Sequence, residues 1–143
     1  MKTHTLRGHL EGPVGPDPEV YRLVVDDGRL NHGYRIKSFT IWRNNIGSAN
    51  DVQAILGTTE DCASGLGVTF AMNASDNSQL AWALWDGNTT QAQWGWSLVD
   101  PDHIVQQDMF IAITAPTNYL IEMEAVELNE AATVLQLVKS KQR

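Results

Sequence analysis

The stretch Gln79-Leu-Ala-Trp-Ala-Leu-Trp85-Asp-Gly-Asn-Thr-Thr-Gln-Ala-Gln-Trp94-Gly-Trp96-Ser-Leu-Val-Asp-Pro-Asp-His103-Ile-Val-Gln-Gln-Asp-Met-Phe-Ile-Ala-Ile-Thr114 decides the fold class. It reads as strand, turn, strand, turn, strand. Leu80, Trp82 and Leu84 alternate with Gln79, Ala81 and Ala83, the period of two that a half-buried strand imposes. Asp86-Gly-Asn88 is a turn signal, because Gly and Asn accept the positive φ of tight turns. Ala92–Val99 is the next strand, with Trp94 and Trp96 at one parity. Asp100-Pro-Asp102 breaks it, and His103–Thr114 is the longest β run in the chain. The turns are too short to hold a crossover helix, which a parallel pair requires. Antiparallel pairing is therefore expected.

Working outward, the same alternation of strand and turn continues. Tyr21–Val25 is a strand closed by Asp26-Asp-Gly28. In Tyr34–Trp42, Tyr34 and Ile36 oppose Arg35 and Lys37, but Phe39 and Ile41 take the other parity. A bulge near Ser38, or burial of both faces later in the strand, accounts for the switch. Arg43–Asp51 is a polar loop. Val52–Thr58 and Gly67–Ala74 are weaker strands separated by Glu60–Leu66, and Pro116-Thr-Asn118 turns the chain into a last strand, Tyr119–Leu128. Short strands with turn signals and no helix between them imply a mainly β domain over residues 21–128. The expected architecture is an antiparallel β-sandwich, jelly-roll-like.

The two ends read differently. Residues 1–20 are expected to form an extended N-terminal arm, since His9–Pro18 holds most of the prolines and can neither pair as a central strand nor sustain a helix. Residues 129–143 are expected to form a C-terminal helix and tail. Asn129 suits the N-cap, and Ala131, Val134, Leu135 and Val138 fall on one helical face. The arm's Val14, Pro16 and Pro18, the aromatic pair Trp94 and Trp96, and the helix residues Val134, Leu135 and Val138 are the candidate interface residues.

Composition narrows the function. Of 143 residues, 43% are hydrophobic and 19% charged, which excludes a disordered chain. No apolar run approaches the length of a membrane span. A formal net charge of −7 repels nucleic acid. The basic tail Lys139, Lys141 and Arg143 suits a helix C-terminus. Met1-Lys-Thr-His4 leads into polar sequence, so no secretory leader is expected. The single Cys62 forms no internal disulfide, consistent with a reducing cytosol.

Candidate chemistry is sparse. His4, His9, His32 and His103 do not fall at metal-ligand spacings. Asp100, Asp102 and His103 read as a turn entering a strand. Cys62 lies among carboxylates, which raise a thiol pKa. Gly65-Leu-Gly67 lacks the remaining parts of a phosphate loop. Asp26-Asp-Gly28, Asp76-Asn-Ser78 and Asp86-Gly-Asn88 lack the ligand spacing of a calcium loop. No enzyme activity, no cofactor and no metal are expected. The tryptophans stand out. Trp82 and Trp85 have opposite parity and should face opposite sides of a sheet. Trp94 and Trp96 share a face and suit a core, a subunit interface or a sugar platform.

Tyr21–Phe39, Gln79-Leu-Ala-Trp82, Ser97-Leu-Val-Asp-Pro-Asp-His-Ile-Val105 and Asn118-Tyr-Leu-Ile-Glu-Met-Glu124 together resemble small β-rich virion structural proteins of marine tailed bacteriophages. The resemblance implies a capsid subunit or a decoration (cement) subunit. Such a subunit is made in the host cytoplasm and located in the virion. Its implied partners are further copies of itself, as a trimer or pentamer, and the major capsid protein or another virion protein, without nucleic acid or membrane. It carries no catalytic residues. The alternative is a carbohydrate-binding module or fibre-tip domain that recognises a host glycan through Trp94 and Trp96.

Overall fold

A computed structural model describes residues 3–12, 18–25, 32–44, 51–63, 70–86, 94–106 and 108–127. They form nine strands: β1 Thr3–Leu10, β2 Glu19–Leu23, β3 His32–Trp42, β4 Val52–Gly57, β5 Gln79–Asp86, β6 Trp94–Val99, β7 Ile104–Val105, β8 Met109–Ile113 and β9 Thr117–Glu127. All pairings are antiparallel. A four-stranded sheet of order β1-β9-β3-β7 packs on a five-stranded sheet of order β2-β8-β4-β5-β6. The chain is thus a β-sandwich. The expected helix, with Val134, Leu135 and Val138, lies outside the described residues, as do Val14 and Pro16 of the arm.

The core is the space between the sheets. Ile36, Phe39, Ile41, Ile121 and Met123 of one inner face meet Val52, Leu56, Trp85, Met109, Ile111 and Ile113 of the other. The parity switch in β3 has a local cause. Its register on β9 shifts between Ile36 and Ser38, so Ile36 stands opposite Met123 and Phe39 opposite Ile121. Lys37 is the extra residue. The bulge restores the inward face for Phe39 and Ile41 and turns Lys37 out, where its Nζ lies 3.1 Å from Glu124 Oε2. A regular strand would have aimed either Ile36 or the Phe39–Ile41 pair at solvent.

Three expectations are corrected. Thr3–Leu10, read as part of the arm, is an edge strand paired with β9 along its whole length. His4, Leu6 and Leu10 are half-buried and the intervening Thr3, Thr5, Arg7 and His9 are exposed, the alternation of a one-sided strand. The long run from His103 is split. Ile104–Val105 pairs with β3 in the four-stranded sheet, whereas Met109–Ile113 pairs with β2 and β4 in the other. One apolar run therefore serves both layers, because the chain crosses the sandwich between them. Residues 70–74 of the expected strand 67–74 are irregular. Asn73 N–H and Ala71 O bond to the Gln79 side chain, and Ala71 N–H donates to Ala63 O.

The outer face of the five-stranded sheet carries a second, smaller core. Ile55 and Ala112 are buried there against Cys62 and Ala63, with Phe70, Met72 and Trp82 packed around them. Gln79 anchors this cover. Its Oε1 accepts from Asn73 N–H (2.8 Å) and Trp82 Nε1–H (2.6 Å), and its Nε2 donates to Cys62 O (2.9 Å) and Ala71 O (2.6 Å). Two donors and two acceptor sites are the full capacity of a glutamine side chain, so its burial is compensated. Gly57 has no room for a side chain, since a Cβ would meet the Cys62 side chain and, at 2.8 Å, Ser78 O. That contact lets the connection over residues 58–63 lie flat on the sheet.

Candidate functional site

Trp82 and Trp85 face opposite sides of β5, as their parity requires. Trp85 joins the main core and Trp82 the outer cluster. The expected alternation of Leu80, Trp82 and Leu84 is broken by a register shift on β4 between Leu56 and Gly57. Leu80 turns inward with Ala81, Ala83 and Trp85. Trp82 and Leu84 turn outward and stay partly exposed.

β6 extends that outer face. Leu98 pairs with Trp82 and Trp96 with Leu84, and directly opposed residues on antiparallel strands share a face. Trp96 is 39% exposed and Leu98 62%. The backbone of Trp94 pairs with Asp86 at the start of the strand. Pro18 is half-buried just before β2. Of the candidate interface residues, Trp96 is the one with a described, solvent-open aromatic side chain.

Trp96 does not stand alone. A groove of about 570 Å³ runs between the hairpin β5–β6 and the end of β3. Leu84, Trp85, Gly95, Trp96 and Ser97 form one wall; Thr40, Ile41 and Trp42 form the other. It opens here because β7 pairs only with Tyr34 and Arg35. From Ile36 onward the pairings described for β3 are with β9 alone. Trp42 is 40% exposed. Among the described residues that line the groove, none is charged. Sequence reading missed Trp42, because a tryptophan at a strand end looks like any core aromatic. Only the sheet packing brings it to the same groove as Trp96.

Of the remaining candidates, Asp76, Asp100, Asp102, His103 and Cys62 are described, whereas residues 26–28, 65–67 and 87–88 lie outside the described residues. Asp102 N–H donates to Asp100 Oδ1 (3.1 Å), a local turn bond, and His103 is buried. Asp76 Oδ1 accepts from Ser78 N–H (2.9 Å) and Ser78 Oγ (2.7 Å), which commits that carboxylate to its own turn. Cys62 is buried as a free thiol. Among the described residues no group of three or more metal-ligating side chains converges. Asp51 and Asp86 meet beside the Val52–Trp85 pair. The hydrogen bond between them, with some burial and mutual repulsion, holds Asp51 above the usual carboxylate range. Burial alone pushes the Tyr119 phenol above its ordinary value.

Comparison with protein-family models, with curated proteins and with solved structures yields no match.

Proposed function

We propose that this chain is a structural subunit of a bacteriophage virion, a capsid or capsid-stabilising decoration protein that acts by self-association and by binding the shell. The strand order carries the reading. With β6 set aside, β1-β9-β3-β7 facing β2-β8-β4-β5 has the order of a jelly roll, an architecture used by viral capsid domains. Every connection crosses between the sheets except those joining β4, β5 and β6. The open apolar side chains Trp42, Trp96 and Leu98 suit a protein whose partners complete its surface. The net charge of −7 keeps free subunits apart until they meet that partner. Mass spectrometry of purified particles together with light scattering of the isolated protein tests it. Detection in virions and an oligomer in solution are expected; a monomer absent from particles overturns the reading.

A second reading has its own observation. The groove lined by Trp42 and Trp96, with no charged side chain among its described lining residues, suits a neutral glycan, whose C–H faces stack on indole while its hydroxyls bond to Thr40 and Ser97. Jelly rolls also serve as lectins. Quenching of tryptophan fluorescence across a saccharide panel, lost in Trp96→Ala, is its expected signature. A panel without response removes it.

A further inference from the structure

We propose that β6 is the strand through which two copies of this chain pair, edge to edge and antiparallel, joining their five-stranded sheets into one. The inference rests on the self-associating subunit reading and names the surface it uses. Each described sheet has two edges, and three of the four edges are blunted in the ways proteins use to prevent strand pairing. β1 carries Arg7 among exposed polar residues, with His4 and His9 on the same strand. β2 carries Glu19 and Arg22, the latter paired with Asp108. β7 is two residues long, and the remainder of that edge is the end of β3, which lies across the groove from β6 within the same molecule. β6 reads Trp-Gly-Trp-Ser-Leu-Val, with no charge and no proline. Gly95, Trp96, Ser97 and Leu98 are all exposed. Among the described residues β6 pairs with β5 only.

Charge selects the occupant. In a chain of net charge −7, two copies repel each other over most of their surface. A neutral strand is where they approach with least repulsion. A dyad normal to the sheet carries each outer face onto the other, so Trp96 and Leu98 stay on one continuous face. With Ser97 on the axis, Trp96 of each copy stands opposite Leu98 of the second. That cross-strand aromatic–aliphatic pair occurs twice by symmetry. The same contact covers the most exposed residues of β6 and satisfies the outward backbone groups of its edge.

The test uses the full chain. Wild type is followed by sedimentation over a wide concentration range, beside Leu98→Lys, whose exposed site leaves folding intact by thermal melting. Each substitution enters a dyad twice, so Leu98→Lys is expected to weaken association at least about tenfold. A cysteine introduced at Ser97, which meets its own copy on the axis, is expected to form an intermolecular disulfide faster than one at Thr5 on the β1 edge. If wild type associates but Leu98→Lys associates equally, or Thr5→Cys cross-links as fast, copies meet elsewhere and the β6 proposal falls while the subunit reading stands. If wild type stays monomeric at every concentration, both fall. Saccharide quenching of that monomer would then assign β6 to the glycan groove instead.

Discussion

The two faces of the five-stranded sheet are built for different ends. The inner face is sealed over β8, β4 and β5 by the opposite sheet, with Val52, Leu56, Met109, Ile111 and Ile113 fully buried. The outer face is sealed over β4, β5 and β8 by the segment around Cys62, Phe70 and Met72, then bare at β6. The difference is visible in composition. β4 (Val-Gln-Ala-Ile-Leu-Gly) and β8 (Met-Phe-Ile-Ala-Ile) are nearly continuous apolar runs, as strands buried on both sides must be. β6 is just as apolar but lies open. Among the described residues it is the exposed apolar surface that the proposed pairing of two copies would cover.

Four substitutions break or sharpen that contrast, taken from the largest expected effect down. On the inner face, Ile111→Ala should destabilise by about 2–5 kcal/mol, because a cavity opens between two packed sheets; urea unfolding measures it. On the sealed outer face, Gln79→Ala should cost about 1–3 kcal/mol, since it strands buried partners such as the Asn73 amide and the Trp82 indole. Trp82 emission should shift to the red as its cover loosens. At the rim, Asp51→Asn should change the pH profile more than the midpoint. The folded pKa of Asp51 is raised, so the stability tied to its proton is present below the unfolded pKa and is lost as pH rises through the folded value. Thermal melts of wild type should therefore fall over that interval, and those of Asp51→Asn should stay flatter. On the bare outer face, Leu98→Ala should alter monomer stability by less than about 0.5 kcal/mol. A large loss there would mean that β6 is covered after all.

Local sequence made several of these features legible. The period of two in Gln79–Trp85, the turn signals around it and the parity switch between Ile36 and Phe39 are all short-range patterns. A bulge is a one-residue insertion in such a pattern, so the β3 irregularity was readable without its partner strand. The opposite facing of Trp82 and Trp85 followed for the same reason. β1 was harder. The Gly/Pro-rich segment after it dominated the reading, and only pairing with β9, at the far end of the chain, makes Thr3–Leu10 a strand. The break between β7 and β8 was not legible, because nothing in His103–Thr114 marks where the chain leaves one sheet for the other. The site was half visible. Trp96 stood out by composition, whereas Trp42 became part of the groove only when β3 was set beside β6.

By itself, then, the sequence determined the class of structure. Apolar periodicity, turn chemistry and the absence of helical spacing between strands leave antiparallel β as the arrangement that buries these side chains. Tertiary structure alone decided which strands are neighbours, where the chain changes sheets, and which apolar faces are covered. Those outcomes depend on contacts between residues far apart in the chain. Backbone hydrogen bonds across a sheet are chemically alike whichever strands supply them, so register and order come from fitting two inner faces together. That fit encloses Phe39 and Ile111 and leaves Trp96 and Leu98 in solvent.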